Sequence, residues 1–202
     1  MATQPNYKGA LTQYMTHPEE WTYHIPEGMT TMEGALVEPA AVGMHAAVLG
    51  GAQPGKSIVI LGGGTIGLMV LQACISLGAT DITVVDVIEK RLELAKKLGA
   101  ARVINGKEED TVAVLRSEEM YGDHGVDLVF EAAGAVFTAQ QAVQIVSRGG
   151  KIMMVGTQSK PVPIDFLKIN REVTIQTSFR YCNNFPQTIE AISSGRFNVK
   201  IW

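Results

Sequence analysis

Residues 57 to 80, SIVILGGGTIGLMVLQACISLGAT, run twenty-four positions without a charge. A stretch of that length can cross a bilayer as a helix, and its glycines suit it equally to holding a phosphate. Gly62 to Gly64, three consecutive glycines, decide between the two. They stand between the β-rich SIVIL and the helix-like IGLMVLQACISL, and each glycine inside a helix costs about 1 kcal/mol relative to alanine. Lys56 and Asp81 flank the stretch without a basic cluster on either side, so the charge asymmetry that orients membrane segments is weak. The stretch reads as strand, turn and helix, with no membrane partner implied.

The phosphate reading predicts more of the chain. GGGTIG, Gly62 to Gly67, fits G-x-G-x-x-G directly after a strand pattern and at the start of a helix pattern. That spacing asks for a first glycine at a tight turn, a second where backbone approaches a pyrophosphate, and a third where helix packs on strand. Gly62, Gly64, Thr65, Ile66 and Gly67 are therefore candidate pyrophosphate residues, at a helix N-terminus whose free amides and dipole favour an anion. The motif also asks for an acid about 20 residues on, and Asp86 closes a second strand pattern, ITVVD, nineteen residues after Gly67. Its carboxylate can accept hydrogen bonds from ribose hydroxyls, each worth about 1.5 to 3 kcal/mol, whereas a 2′-phosphate would meet like charge. NAD is favoured over NADP. The plain alternative is a structural glycine turn with Asp86 as an ordinary strand-end carboxylate.

From there the segments alternate. ITVVD is followed by the helix pattern VIEKRLELAKKLGA, with Leu92, Ala95 and Leu98 at helical spacing and Gly99 placed as a C-cap. A short strand RVI, a surface helix and loop over KEEDTVAVLRSEEMYGDHG, and a buried-type strand VDLVFEAAG come next. A helix from about Val136 to Val146 stops at RGG, KIMMVG and VTIQTSF read as fifth and sixth strands, and NFPQTIEAISSG as a last helix. Six strands with intervening helices imply an α/β fold with a doubly wound, six-stranded parallel sheet of the Rossmann type.

Composition narrows the partners. A net charge of -3 with no basic run leaves no electrostatic footprint for nucleic acid. Cys74 and Cys182, 108 positions apart, suggest neither a disulfide framework nor a zinc knuckle, and a reducing cytosol is the simplest setting. The opening MATQPNYKGALTQYM lacks the charged start and apolar core of a signal peptide. Residues 7 to 34 are polar, carry Pro18 and Pro26, and read as strands and loops of an incomplete domain, after which Glu38-Pro39 suits the first turn of a helix running to about Leu49.

GALVEPAAVGMHA, GGGTIGLMVLQACISLGA, DVIEKRLELAKKLGA and FRYCNNFPQTIEAISSGRFNVK resemble the zinc-dependent medium-chain dehydrogenases, most closely their sorbitol and polyol branch, across nearly the whole chain. The glycine turn is common to many dinucleotide enzymes, while VEPAAVGMHA and FRYCN are specific. The resemblance implies that residues 1–38 are the end of a β-rich, GroES-like catalytic domain and 39–202 an NAD-binding domain. In this family a preceding lobe carries the catalytic zinc. His17, His24, His45 and His124 are scattered here and no pair has metal-ligand spacing, so no metal ligand is assigned, zinc is expected only in the parent enzyme, and the chain is expected to be an inactive fragment.

The resemblance also implies residue roles. Glu38 matches the acid beside the catalytic zinc, although a carboxylate at a helix N-terminus is common without any such role. Val42 matches a position lining the nicotinamide pocket, for which helix packing is an adequate alternative, as it is for His45. Arg91 matches a position near the adenosine, but serves equally as a solvated helix charge or as a group that tolerates NADP. Val155, Gly156 and Thr157 end the fifth strand and Ser178, Phe179 and Arg180 the sixth, where an open α/β sheet forms its ligand crevice, and the resemblance sets both triplets beside the nicotinamide. Arg180 and Tyr181 would then reach substrate hydroxyls; the alternatives are an arginine paired locally and a tyrosine in the core. EAAG, residues 131 to 134, departs from the family by lacking a cysteine and a threonine. The implied parent is a cytoplasmic homo-oligomer, dimer or tetramer, that oxidises a secondary alcohol of a polyol to a ketose. A threonine or simple alcohol dehydrogenase, or a dinucleotide-binding module without chemistry, are the competing readings.

Overall fold

The structure, a computed structural model, describes residues 12–169 and 171–200. The uncharged stretch resolves into strand β1 (Ser57–Leu61), a glycine turn, and helix α3 (Thr65–Ser76). Gly62 adopts φ 110°, which an L side chain resists, and a Cβ on Gly67 would sit on the carbonyl oxygen of Gly62. The triplet thus turns the chain back across the strand end and lets α3 close on it.

Strands β2 (Asp81–Asp86), β3 (Arg102–Asn105), β4 (Val126–Glu131), β5 (Val146–Met154) and β6 (Thr174–Thr177) join β1 in one parallel sheet of order β3-β2-β1-β4-β5-β6. Residues alternate across it as the strand period requires. Ile58 and Ile60 pack with Phe130 and Met153 on one face, and Val59 and Leu61 with Val129 and Ile152 on the other. Both faces are covered, which is why the central strands are continuous apolar runs. The order reverses between β1 and β4, and in such sheets ligands bind outside the carboxyl ends of the strands at that point.

Helices α4 (Glu89–Lys97), α5 (Thr111–Leu115), α6 (Val136–Ile145), α7 (Phe166–Ile169) and α8 (Phe185–Ser193) fill the connections. Gly99, at φ 100°, follows α4 in the expected capping place. Helix α2 (Val37–Gly50) crosses α3 so closely that a Cβ on Gly43 would lie 2.6 Å from the Met69 carbonyl oxygen. The division expected between residues 38 and 39 falls in the first turn of α2.

Two expectations need correction. RGG does not separate a helix from a strand: β5 already begins at Val146, and the register passes from Val126–Val146 to Leu128–Lys151, with Gly149 at φ 66° in the irregular segment. A bulge absorbs these residues inside the strand. The strands expected among residues 7 to 34 do not form in the described part of that segment, for no strand lies among the described residues before β1. Pro18 and Pro26 cannot donate to a ladder, and the segment instead forms a short 3-10 turn (Glu19–Trp21) and helix α1 (Thr31–Ala35), with Tyr23 stacked on Phe185 of α8 at 5.3 Å. The part of that expectation covering residues 7 to 11 lies outside the described residues. Among the described residues, no helix is long and apolar enough to cross a membrane.

Candidate functional site

Register brings the predicted residues to one edge. Leu61 pairs with Val85 and Glu131, Glu131 with Met154, and Met154 with Thr177, so the loops after β1, β2, β4, β5 and β6 all leave the sheet side by side. Beyond that edge a cavity of about 480 Å³ opens beside the strand-order reversal, lined by Gly62, Gly64, Asp86, Arg91, Phe137 and Thr138 among others. Four predicted residues, Gly62, Gly64, Asp86 and Arg91, are therefore together.

Gly64 is the N-cap of α3 and has no side chain to cap it, so among the described residues no N-cap side chain takes up the amides of the first turn, Thr65, Ile66 and Gly67. A Cβ on Gly64 would meet no protein atom within 4 Å, in contrast to Gly62, where it would meet the Ala133 amide at 2.8 Å. Free amides next to open space make the arrangement expected of an anion cradle.

Asp86 is buried and holds the turn in place. Oδ2 accepts from the Gly63 amide at 2.7 Å, and Oδ1 from the amides of Val87 at 2.8 Å and Ile88 at 2.9 Å. The Arg91 guanidinium, half exposed, approaches Oδ2 at 3.4 Å. The carboxylate thus serves the fold as well as the cavity.

The other predicted residues lie outside this cavity. Val155 and Gly156 follow β5, and their amides donate to the Glu131 carbonyl at 2.8 and 2.9 Å. Ser178 follows β6 with its amide on the Met154 carbonyl, while its buried hydroxyl has no hydrogen-bond partner among the described residues. Phe179 is exposed and carries the Arg180 guanidinium over its ring at 5.1 Å. Arg180 and Asn183 take φ 56° and 55°, a conformation that costs a non-glycine residue energy and persists only when surroundings impose it.

Helix α2 supplies those surroundings. The Glu38 carboxylate, exposed in its first turn, pairs with the Tyr181 hydroxyl, and two turns on His45 Nδ1 meets Asn184 Oδ1 at 3.2 Å. Burial first, and then the Glu38 charge and hydrogen bond, hold the Tyr181 phenol above its ordinary range, with Arg180 acting in the opposite sense. Glu38, Arg180 and Tyr181 are thus brought together, and half-buried Val42 lies one turn along the same helix.

Sequence reading missed Glu131. It is fully buried at the end of β4, and its Oε1 accepts from the amides of Ala133 and Gly134 and from the Thr138 hydroxyl. Its signal was available: VDLVFE ends in an acid before a small-residue turn, as ITVVD does. Among the described residues, no group of three or more His, Cys, Asp or Glu side chains could hold a metal ion. The described residues do not make a zinc site.

The family described as zinc-binding dehydrogenase matches residues 65–194. Sorbitol dehydrogenase of Bacillus subtilis is 39% identical over 203 residues, 99% of this chain and 56% of that protein. A solved oxidoreductase/dehydrogenase of unknown specificity from Escherichia coli, described as involved in membrane biogenesis, superposes with TM-score 0.96 at 64% identity over all of this chain and 57% of its own. A zinc-binding dehydrogenase from Sinorhizobium meliloti, solved bound to NADP, superposes with TM-score 0.84 at 27% identity over 89% of this chain and 53% of its own. The chain spans little more than half the length of these relatives.

Proposed function

Because this chain belongs to the zinc-binding dehydrogenase family, we propose that its carboxyl-edge crevice binds NAD(H) and serves an oxidoreductase acting on a secondary alcohol of a polyol. The observation that carries the reading is the protein-free space at Gly64 lying on the same cavity as the buried Asp86 carboxylate. A dinucleotide needs both, an anion cradle for its pyrophosphate and an acceptor for its adenosine ribose.

The bound dinucleotide supplies a hydride acceptor at its nicotinamide. The remaining roles fall to this chain. The amides of Thr65, Ile66 and Gly67 hold the pyrophosphate, Asp86 accepts from the ribose, and Val42, Val155–Thr157 and Ser178–Arg180 flank the nicotinamide. Arg180 and Tyr181 engage substrate hydroxyls, with Glu38 fixing the Tyr181 hydroxyl by accepting its proton in a hydrogen bond. Holding acceptor and carbinol carbon in one cleft lowers the barrier through orientation. The sorbitol dehydrogenase relative and the FRYCN loop support a sorbitol or xylitol type substrate and a ketose product.

Fluorescence titration with NADH, with NADPH as competitor, tests the cofactor half. Saturable binding that NADPH fails to displace supports it. Displacement by NADPH at equal concentration removes the NAD preference, and the absence of any binding overturns the reading. Turnover of sorbitol and xylitol against threonine and ethanol, in enzyme carrying this chain, tests the substrate half.

A further inference from the structure

Glu131 is a buried carboxylate with no cation against it among the described residues. Such a group is costly unless hydrogen bonds replace its water. Its bonds reach three separate segments. Oε1 takes the Ala133 and Gly134 amides at 3.0 and 2.9 Å and the Thr138 hydroxyl of α6 at 2.7 Å. Oε2 takes the Gln158 side-chain amide, in the loop after β5, at 2.8 Å.

Those segments touch one another backbone to backbone. A Cβ on Gly134 would lie 2.7 Å from the Thr157 carbonyl oxygen, and a Cβ on Gly156 would lie 2.8 Å from Glu131 Oε2. Ala133 and Thr138 wall the cavity that holds Asp86, while Val155 to Thr157 lie outside it across Glu131. Only an acceptor on both arms can gather four donors in this way, because an amide side chain would turn a donor toward one of them.

We propose that Glu131 is a positioning residue for the dinucleotide: it fixes the loop after β5, on the nicotinamide side, at a set distance from the adenosine wall. This rests on the cofactor reading above. The side-chain tie from Glu131 to the β5 loop runs through Gln158, beside the main-chain bonds of the Val155 and Gly156 amides to the Glu131 carbonyl, so it can be removed without disturbing the Oε1 cluster.

The test measures the affinities of NADH and of AMP for the wild-type chain, Gln158→Ala and Glu131→Gln. AMP occupies only the adenosine half and NADH spans both. Gln158→Ala is expected to raise the NADH dissociation constant roughly tenfold, in the range for loss of one charged hydrogen bond, with AMP affinity unchanged. Glu131→Gln is expected to show the same split, and the exchange Glu131→Gln with Gln158→Glu to recover NADH affinity by reversing donor and acceptor. Equal weakening of NADH and AMP, or no change in Gln158→Ala, overturns the positioning role while leaving the cofactor reading intact. A wild-type chain that binds neither ligand overturns both.

Discussion

The amide of Gly63 donates to Asp86 Oδ2 at 2.7 Å, so the middle glycine of the turn is fastened to the end of the neighbouring strand. Asp86 therefore has a folding role and a recognition role, and they separate by measurement. In Asp86→Ala the loss of the Gly63, Val87 and Ile88 bonds is expected to lower stability by about 1.5 to 3 kcal/mol, read as a fall in denaturant midpoint. Removing the negative charge is expected to raise the NADPH to NADH affinity ratio tenfold or more. A lower midpoint with an unchanged ratio would assign Asp86 to the turn alone.

Two glycines of the motif are expected to respond in opposite ways. A Cβ on Gly67 collides with the Gly62 carbonyl, and overpacking of that kind costs typically about 1 to 3 kcal/mol. Gly64 has φ -71° and open space around it, so alanine fits there with a stability change within about 0.5 kcal/mol. Thermal melts should show Gly67→Ala destabilised and Gly64→Ala near wild type. NADH titration should show Gly64→Ala weakened all the same, since its methyl group fills the space left for the pyrophosphate.

What the sequence disclosed depends on how local each signal is. β1, β2 and β4 were legible because a strand buried on both faces needs an unbroken apolar run, and the turn because Gly62 to Gly67 fold against each other. The start of β5 was not, since RGG has the composition of a stop, and only pairing to β4 reveals it as a bulge. Strands and loops were expected over residues 7 to 34, and the described part of that segment forms a 3-10 turn and helix α1 instead of strands, because proline and aromatic content speak of neither partner nor packing. The bonds from Gln158 to Glu131 and from His45 to Asn184 join residues 27 and 139 positions apart, a separation that no pattern within a window can register.

Alkaline stability should follow two tyrosines. Burial is the main cause that raises the Tyr121 phenol, and for Tyr181 burial comes first and the Glu38 charge next. In the unfolded chain both ionise near pH 10, while the folded chain keeps the protons to higher pH. The folded state thus binds more protons in that window, and stability is full below about pH 10 and falls as pH rises through the folded values. Denaturant midpoints across this range should fall less steeply in Tyr121→Phe. In Glu38→Gln the Tyr181 phenolate absorbance should appear at lower pH than in wild type, though still above the free value because burial remains; a Tyr181 curve that does not move would break the Glu38 pairing.

The two cysteines should report different things. Cys74 is fully buried in α3, and burial pushes its thiol far up from the ordinary range, while Cys182 is exposed in the loop beside Tyr181. Alkylation needs the thiolate and access, so the folded chain at neutral pH should lose one free thiol to iodoacetamide and the second only on unfolding. Because α3 is locked between the sheet and α2 at Gly43 and Met69, exposure of Cys74 requires that packing to open. Its slow modification rate should therefore fall further when NADH is added, by the factor through which binding stabilises the folded state, and Gly67→Ala should raise it. A Cys74 rate indifferent to both would mean that α3 opens without loss of the glycine turn, against the packing that joins them.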